Sequence, residues 1–165
     1  MLRKSVAITK FLPSFFQKAE EGNLMLNVKI ICVGGLKDTY LKDAVKEYEK
    51  RLSAYCKLTT VELKSDEGLL PALSDRSYKI ALCVEGKQLS SPEFSTLLEE
   101  GAVKGDGSIS LVIGGADGLP ENVKAACAYR LSFSKMTFPH RLMRVILLEQ
   151  VYRALNISSG GKYHH

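Results

Sequence analysis

The amino-acid sequence predicts an α/β fold, a mostly parallel sheet flanked by helices. Two observations carry this expectation. Short runs rich in β-branched residues recur along the chain, and segments with helical apolar periodicity separate them. The run "YKIALCV" is also near-continuously apolar, as expected of a strand covered on both faces. Regular strand–helix alternation is the pattern of a parallel sheet sandwiched by helices. A chain of 165 residues is most simply one domain with a real core.

The elements follow in order. "NVKIICV" opens as a buried strand that ends at Gly34-Gly35. Asp38 to Ala54 is helical, with Leu41, Ala44, Val45, Tyr48, Leu52 and Tyr55 on one apolar stripe. "KLTTVEL" is the second strand and "YKIALCV" the third. In "SSPEFSTLLEEGA", Ser91 caps a helix and Pro92 takes its first position. "SISLVIGG" is the fourth strand, "LPENVKAACA" a helix with Pro120 near its start, and "YRLSF" a short fifth strand. Pro139 opens a last helix that is apolar on nearly every side. There is no internal repeat and no low-complexity segment.

Residues 1–24 read as an N-terminal extension outside the fold, because the strand pattern begins only after Met25. Pro13 interrupts their apolar part, which does not suit a signal peptide. Residues 25–165 form the single domain. No apolar run approaches the ~18 residues of a membrane helix. Cys32, Cys56, Cys83 and Cys127 form no CxxC pair, which suits buried free thiols in a reducing cytoplasm better than disulfides or zinc.

Charge is unevenly spread. Residues 1–24 carry a net +2, residues 25–134 a net −1, and residues 135–165 a net +4 with all three histidines. Charge alone fits a solvated helix face and a polyanion-binding edge equally well.

In parallel sheets, ligands bind beyond the carboxyl ends of the strands. Three such ends look built for close approach: Glu85-Gly86, "GGADGL" at 114–119 and "SKMTF" at 134–138. "GGADGL" does not have GxGxxG spacing, and there is no GK[ST] phosphate loop. A nucleoside without phosphates, held by backbone groups and apolar walls, fits better than a dinucleotide or triphosphate.

"LVIGGADGL", "LSFSKMTFPHRLMRVILLEQVYRA" and the terminal "KYHH" together resemble the bacterial family of ribosomal RNA large subunit methyltransferase H. "VKIICVGGLKDTYLKDAVKEYEKRL" resembles that family's first strand and helix. The resemblance covers most of residues 27–165. It implies a SPOUT-type fold with a C-terminal trefoil knot, a homodimer, and S-adenosylmethionine as methyl donor without a metal. The implied reaction is N3-methylation of a pseudouridine in 23S rRNA within the ribosome. Carried over by motif, the donor site falls on Leu82, Gly114 and the run Phe133, Ser134, Lys135, Met136, Thr137 and Phe138. The family's tail, Tyr-His followed by a basic residue, falls on Tyr163, His164 and His165, the implied catalytic group. Three features depart from the pattern: residues 1–24, a shortened Lys64–Ser77 segment with room for about one helical turn, and His165 where the family has Arg or Lys.

Arg141, Arg144 and Arg153 then read as an RNA-binding rim around the last helix, whose apolar surface would pack partly on its own sheet and partly on a partner's helix. Glu149 and Arg153 are also spaced to pair along the helix. Pseudouridine N3 must lose a proton, and a histidine is suited to help near neutral pH. "SSGGKYHH" reads as a flexible terminus, ordered only when RNA arrives. Two rivals stand beside this reading: a related methyltransferase acting on another RNA, and a non-catalytic RNA-binding module. Donor binding and methyl transfer separate them.

Overall fold

The fold is built on five short strands whose residues alternate between two apolar faces. The structure, a computed structural model, describes residues 25–163. The expected extension 1–24 and the tail residues His164 and His165 lie outside the described residues. The strands are β1 (Leu26–Val33), β2 (Cys56–Leu63), β3 (Tyr78–Gln88), β4 (Ser108–Ile113) and β5 (Tyr129–Ser132). They are all parallel, in the order β2-β1-β4-β3-β5.

The helices are α1 (Thr39–Leu52), α2 (Leu69–Ala72, after a 3-10 turn at Asp66–Gly68), α3 (Ser91–Lys104), α4 (Glu121–Ala125) and α5 (His140–Ser158). Ile30, Ile80, Ile109, Leu111 and Leu131 point to one face, where they meet α1, α3 and α5. Their neighbours Ile31, Ala81 and Val112 point to the other, where Leu69, Leu73, Leu119 and Val123 cover them. This is the period-two geometry of a strand, and it explains why both sets must be apolar. The shortened connection between β2 and β3 supplies only the one-turn α2.

The cap of α3 differs from the expectation by one residue. Ser90, not Ser91, is the N-cap: its hydroxyl accepts the Glu93 N–H at 3.3 Å, and the Glu93 carboxylate accepts the Ser90 N–H at 2.7 Å. The reciprocal pair needs a Glu three residues on, which only Ser90 has. Ser91 instead donates to Gln150 on α5 at 2.9 Å. β3 is also longer than expected. It breaks register between Leu82 and Lys87 and then pairs again with β5. Gly86 lies in this extension, where an added Cβ would sit 2.6 Å from the Leu131 backbone. Its missing side chain lets the β5 backbone lie close by.

α5 lies along α1 and α3. Leu147, Leu148, Val151, Ala154 and Leu155 are buried against the sheet and its neighbours. Tyr152 fits edge-on to Tyr55, with ring centroids 5.8 Å apart, and Ser95 donates to the Ala154 carbonyl at 2.8 Å. The four cysteines are free. Cys32 and Cys56 are buried, while Cys83 and Cys127 are only half-buried. Burial pushes the Cys56 thiol up to about 12 and Cys127 to about 11, so neither is a ready nucleophile.

Candidate active site

The carboxyl ends of β3, β4 and β5 converge on one cavity of about 670 Å³. Leu82–Glu85 form one wall, Ile113–Leu119 a second, and Leu131–Ser134 with Met136–His140 a third. Lys124 from α4 and Met143 from α5 complete it. The lining thus gathers Leu82, Gly114, Phe133, Ser134, Met136, Thr137 and Phe138. Lys135 is exposed and does not line it.

Local chemistry shapes each wall. Gly118 has φ +78°, and its N–H reaches the Gly115 carbonyl at 3.1 Å, closing a tight turn. A Cβ on Gly114 would lie 2.4 Å from the Gly118 carbonyl carbon. Gly114 is therefore required by the loop's own closure. In the third wall, Ser132 donates to the Ser134 carbonyl at 2.9 Å, and the Ser134 hydroxyl accepts the Met136 N–H at 3.0 Å. These bonds fix the local turn of the loop beside the cavity. Phe133 packs edge-on against Phe94 of α3 at 6.1 Å.

The cavity is largely apolar with a few polar groups at its edge, the usual make-up of a small-molecule site. Glu85 pairs with Lys124, whose hydrogen bond holds the Glu85 carboxyl below the usual carboxylate range. Asp117 adds a second carboxylate. Two carboxylates against one ammonium disfavour a polyphosphate and suit a ligand with a cationic centre. Glu85 was visible in the sequence as a strand end. Asp117 was likewise within the "GGADGL" strand end, whereas Lys124, His140 and Met143 had no such signal, because only the fold brings them to this cavity.

The three arginines do not form the expected rim. Arg144 is buried, with its side chain 6% exposed, and its Nη2 donates to Glu62 at 2.6 Å. Its Nε has no partner among the described residues. Arg153 donates from Nε and Nη2 to Glu149 at 3.2 and 2.8 Å, the within-helix pair its spacing allows. Only Arg141 is loosely held, 3.9 Å from Asp38. The physical reason is local neutralisation: Glu62 at the end of β2 and Glu149 one turn away each claim a guanidinium.

The C-terminal arm is also not the loose end expected. After α5 the chain turns at Gly160, φ +75°, and the Gly161 N–H reaches the Asn156 carbonyl at 2.8 Å. The Tyr163 N–H then donates to Asn156 Oδ1 at 3.0 Å, and its hydroxyl lies 3.2 Å from both Glu149 carboxylate oxygens. Its ring meets Tyr152 edge-on at 4.9 Å, under the Arg153 guanidinium at 4.7 Å. Glu149 stands nine residues along α5 from His140 at the cavity, about 14 Å of helix. Tyr163 is therefore seated well away from its own chain's cavity.

Comparison with known proteins gives this geometry its family. A family model described as "Predicted SPOUT methyltransferase" matches residues 26–164. The ribosomal RNA large subunit methyltransferase H of Clostridium acetobutylicum is 47% identical over 158 residues, covering 84% of this chain and 99% of that protein. The protein of the same name from Clostridium novyi is 49% identical over the same shares. The chain belongs to the SPOUT methyltransferase family, among the ribosomal RNA large subunit methyltransferase H proteins. A probable methyltransferase from Bordetella pertussis Tohama I shares the SPOUT member's fold, with a TM-score of 0.54 at 12% identity, over 78% of this chain and 95% of that one. A probable methylase family protein from Haemophilus influenzae Rd KW20 has a TM-score of 0.51 at 14% identity, over 84% and 69%. At such low identity these two speak for the fold alone. Among the described residues no helix is long and apolar enough to cross a membrane.

Proposed function

We propose that the protein is an S-adenosylmethionine-dependent methyltransferase that methylates N3 of a pseudouridine in 23S rRNA. In this reading it works in the cytoplasm as a homodimer on assembled ribosomes, and its C-terminal segment forms a trefoil knot. The cavity is the observation that carries the reading. Its volume, three-loop wall and excess of carboxylates suit a nucleoside bearing a sulfonium. Family membership and the names of the relatives support the reaction and the RNA.

Leu82, Gly114 and the Phe133–Phe138 loop would hold the donor, with Glu85 and Asp117 facing its polar and cationic parts. When bound, S-adenosylmethionine supplies a methyl group activated for in-line displacement by nitrogen. The protein's own task is mainly to align the target nitrogen with that group. It must also take the proton from the imide nitrogen, and His164 with Tyr163 and His165 would serve there. Tyr163 lies about 14 Å along α5 from its own cavity, so a second copy's tail is the natural supplier. Leu142 on α5 and Val84 and Met136 beside the cavity are exposed apolar side chains that such a partner would cover. Arg141 is the arginine best placed to meet phosphate; Arg144 and Arg153 would have to exchange Glu62 and Glu149 for RNA.

The test is nucleoside mass mapping of 23S rRNA from cells lacking the protein. One pseudouridine should lose its methyl group, and purified protein with the donor should restore it on 70S ribosomes. An unchanged methylation pattern would overturn the reading.

A further inference from the structure

Towards its C-terminal end, α5 buries one carboxamide among apolar side chains. Asn156 is 8% exposed and follows Ala154 and Leu155, both fully buried. A buried amide is tolerated only with partners, and both of its ends have one. Nδ2 donates to the Tyr55 hydroxyl at 3.0 Å, and Oδ1 accepts the Tyr163 N–H at 3.0 Å.

The backbone around it forms a helix-terminating motif. Gly160, with φ +75°, donates to the Ile157 carbonyl at 3.0 Å, and Gly161 donates to the Asn156 carbonyl at 2.8 Å. This is the paired bonding of a Schellman end, in which an apolar contact usually joins the two residues that Asn156 and Gly161 occupy here. That contact is replaced by a carboxamide against a bare Cα. A Cβ on Gly161 would lie 2.3–2.5 Å from the Asn156 side-chain atoms. Gly161 is thus constrained by Asn156, and the space it leaves lets the amide reach on to Tyr163.

We propose that Asn156 is a positioning residue: with Gly161 it seats the C-terminal arm on α5 and fixes the point from which His164 is presented. The proposal rests on the reading above that the tail handles the proton of the target base. Glu149, Tyr152 and Arg153 hold the Tyr163 ring, but they are side-chain contacts that a swinging arm could remake. The bond to the Tyr163 N–H acts on the main chain, so it sets the direction in which the next residue leaves. A displacement of about 1 Å in a catalytic group can cost about 100-fold in rate. An arm tethered only by glycines could not meet such a tolerance.

The test uses the full chain and two independent readouts. Hydrogen exchange at the Tyr163 amide, followed by NMR, reports the seat without reference to activity. It should be slow in the wild type, fast in Asn156→Ala, and slow again in Asn156→Asp, which keeps the acceptor. Gly161→Ala, beyond the helix and outside the core, should also speed exchange, and adding it to Asn156→Ala should do nothing more. Methylation of 70S ribosomes should fall about tenfold or more in Asn156→Ala and Gly161→Ala and recover in Asn156→Asp, with donor affinity unchanged. Equal Tyr163 exchange in wild type and Asn156→Ala overturns the seat. Fast exchange with full methylation overturns its positioning role, while a chain cut before Tyr163 still shows whether the tail is needed. Full activity of that truncated chain defeats the tail reading itself, and this proposal with it.

Discussion

Arg144 and Glu62 are joined at 2.6 Å although 82 residues separate them in sequence, and the guanidinium is 6% exposed while the carboxylate is about half-exposed. The pair ties the first turns of α5 to the end of β2, next to the loop after β1. The arginine cannot leave for RNA without abandoning Glu62, its charge partner among the described residues, and its buried setting. Glu62→Gln should therefore lower stability by about 2 kcal/mol, the scale of a hydrogen bond to a charged group. Arg141→Gln, at a loose and exposed pair, should shift the urea midpoint hardly at all. Equal midpoints for the two variants would show that the buried pair carries no special weight.

Gly114 and Gly115 sit side by side in the cavity wall but differ in what a side chain would meet. A Cβ at Gly114 strikes the Gly118 backbone at 2.4 Å, whereas at Gly115 the nearest atom is a Val33 methyl at 3.5 Å, ordinary contact. Gly114→Ala should weaken donor binding by about tenfold or more, equivalent to about 1.4 kcal/mol, and should lower the melting temperature as the turn reopens. Gly115→Ala should keep its fold and melting temperature. Calorimetric titration with S-adenosylmethionine, beside a thermal melt, checks both.

These cases show what the sequence could reveal. Strands such as "NVKIICV" are legible because β-branched runs state their own conformation, and Pro139 marks the start of α5 by local sterics alone. Seven of the eight donor-site residues carried by motif do meet in one cavity, since the strand ends that hold them are local features. The burial of Arg144 on α5 was not legible, because it depends on a carboxylate of β2, 82 residues away in sequence. Neither was the seating of Tyr163, which needs Asn156, Glu149 and Tyr152 from different turns of α5. Gly86 and Gly114 were visible as glycines, but the reason for each is a backbone passing within contact distance. Only the fold brings that backbone there.

Asp75 gives a pH dependence with a definite sign. Burial raises its carboxyl, but hydrogen bonds from Lys29 and Ser77 outweigh this and hold it at about 2, against an ordinary value of 3.8. A depressed carboxyl contributes stability that is complete above the unfolded value and is lost as pH falls through the folded one. Its share should thus be present above about pH 4 and disappear towards pH 2. The side chain is 41% exposed, so screening keeps the effect modest. Urea midpoints measured at pH 5 and pH 2.5 should fall further for the wild type than for Asp75→Asn. Parallel losses would remove Asp75 from the acid response.

The tail decides between a loose end and a catalytic arm. Tyr163 is held against Glu149 and Tyr152, about 14 Å along α5 from its own cavity, and His164 follows directly. If the arm serves a partner's cavity, deleting residues 163–165 should cut methylation by about 100-fold or more, the usual scale of a lost general base. Donor affinity should stay near its original value, because Tyr163 does not line the cavity. His164→Ala should reproduce most of the loss. Mixing should then expose the dimer: a chain with Gly114→Val lacks a working donor site but keeps its tail, and a chain lacking residues 163–165 keeps its donor site. Each is inactive alone, yet a heterodimer of the two should regain one functional site. Recovery of methylation on mixing would show that tail and cavity come from different copies, and its absence under conditions that exchange subunits would confine the tail to its own chain.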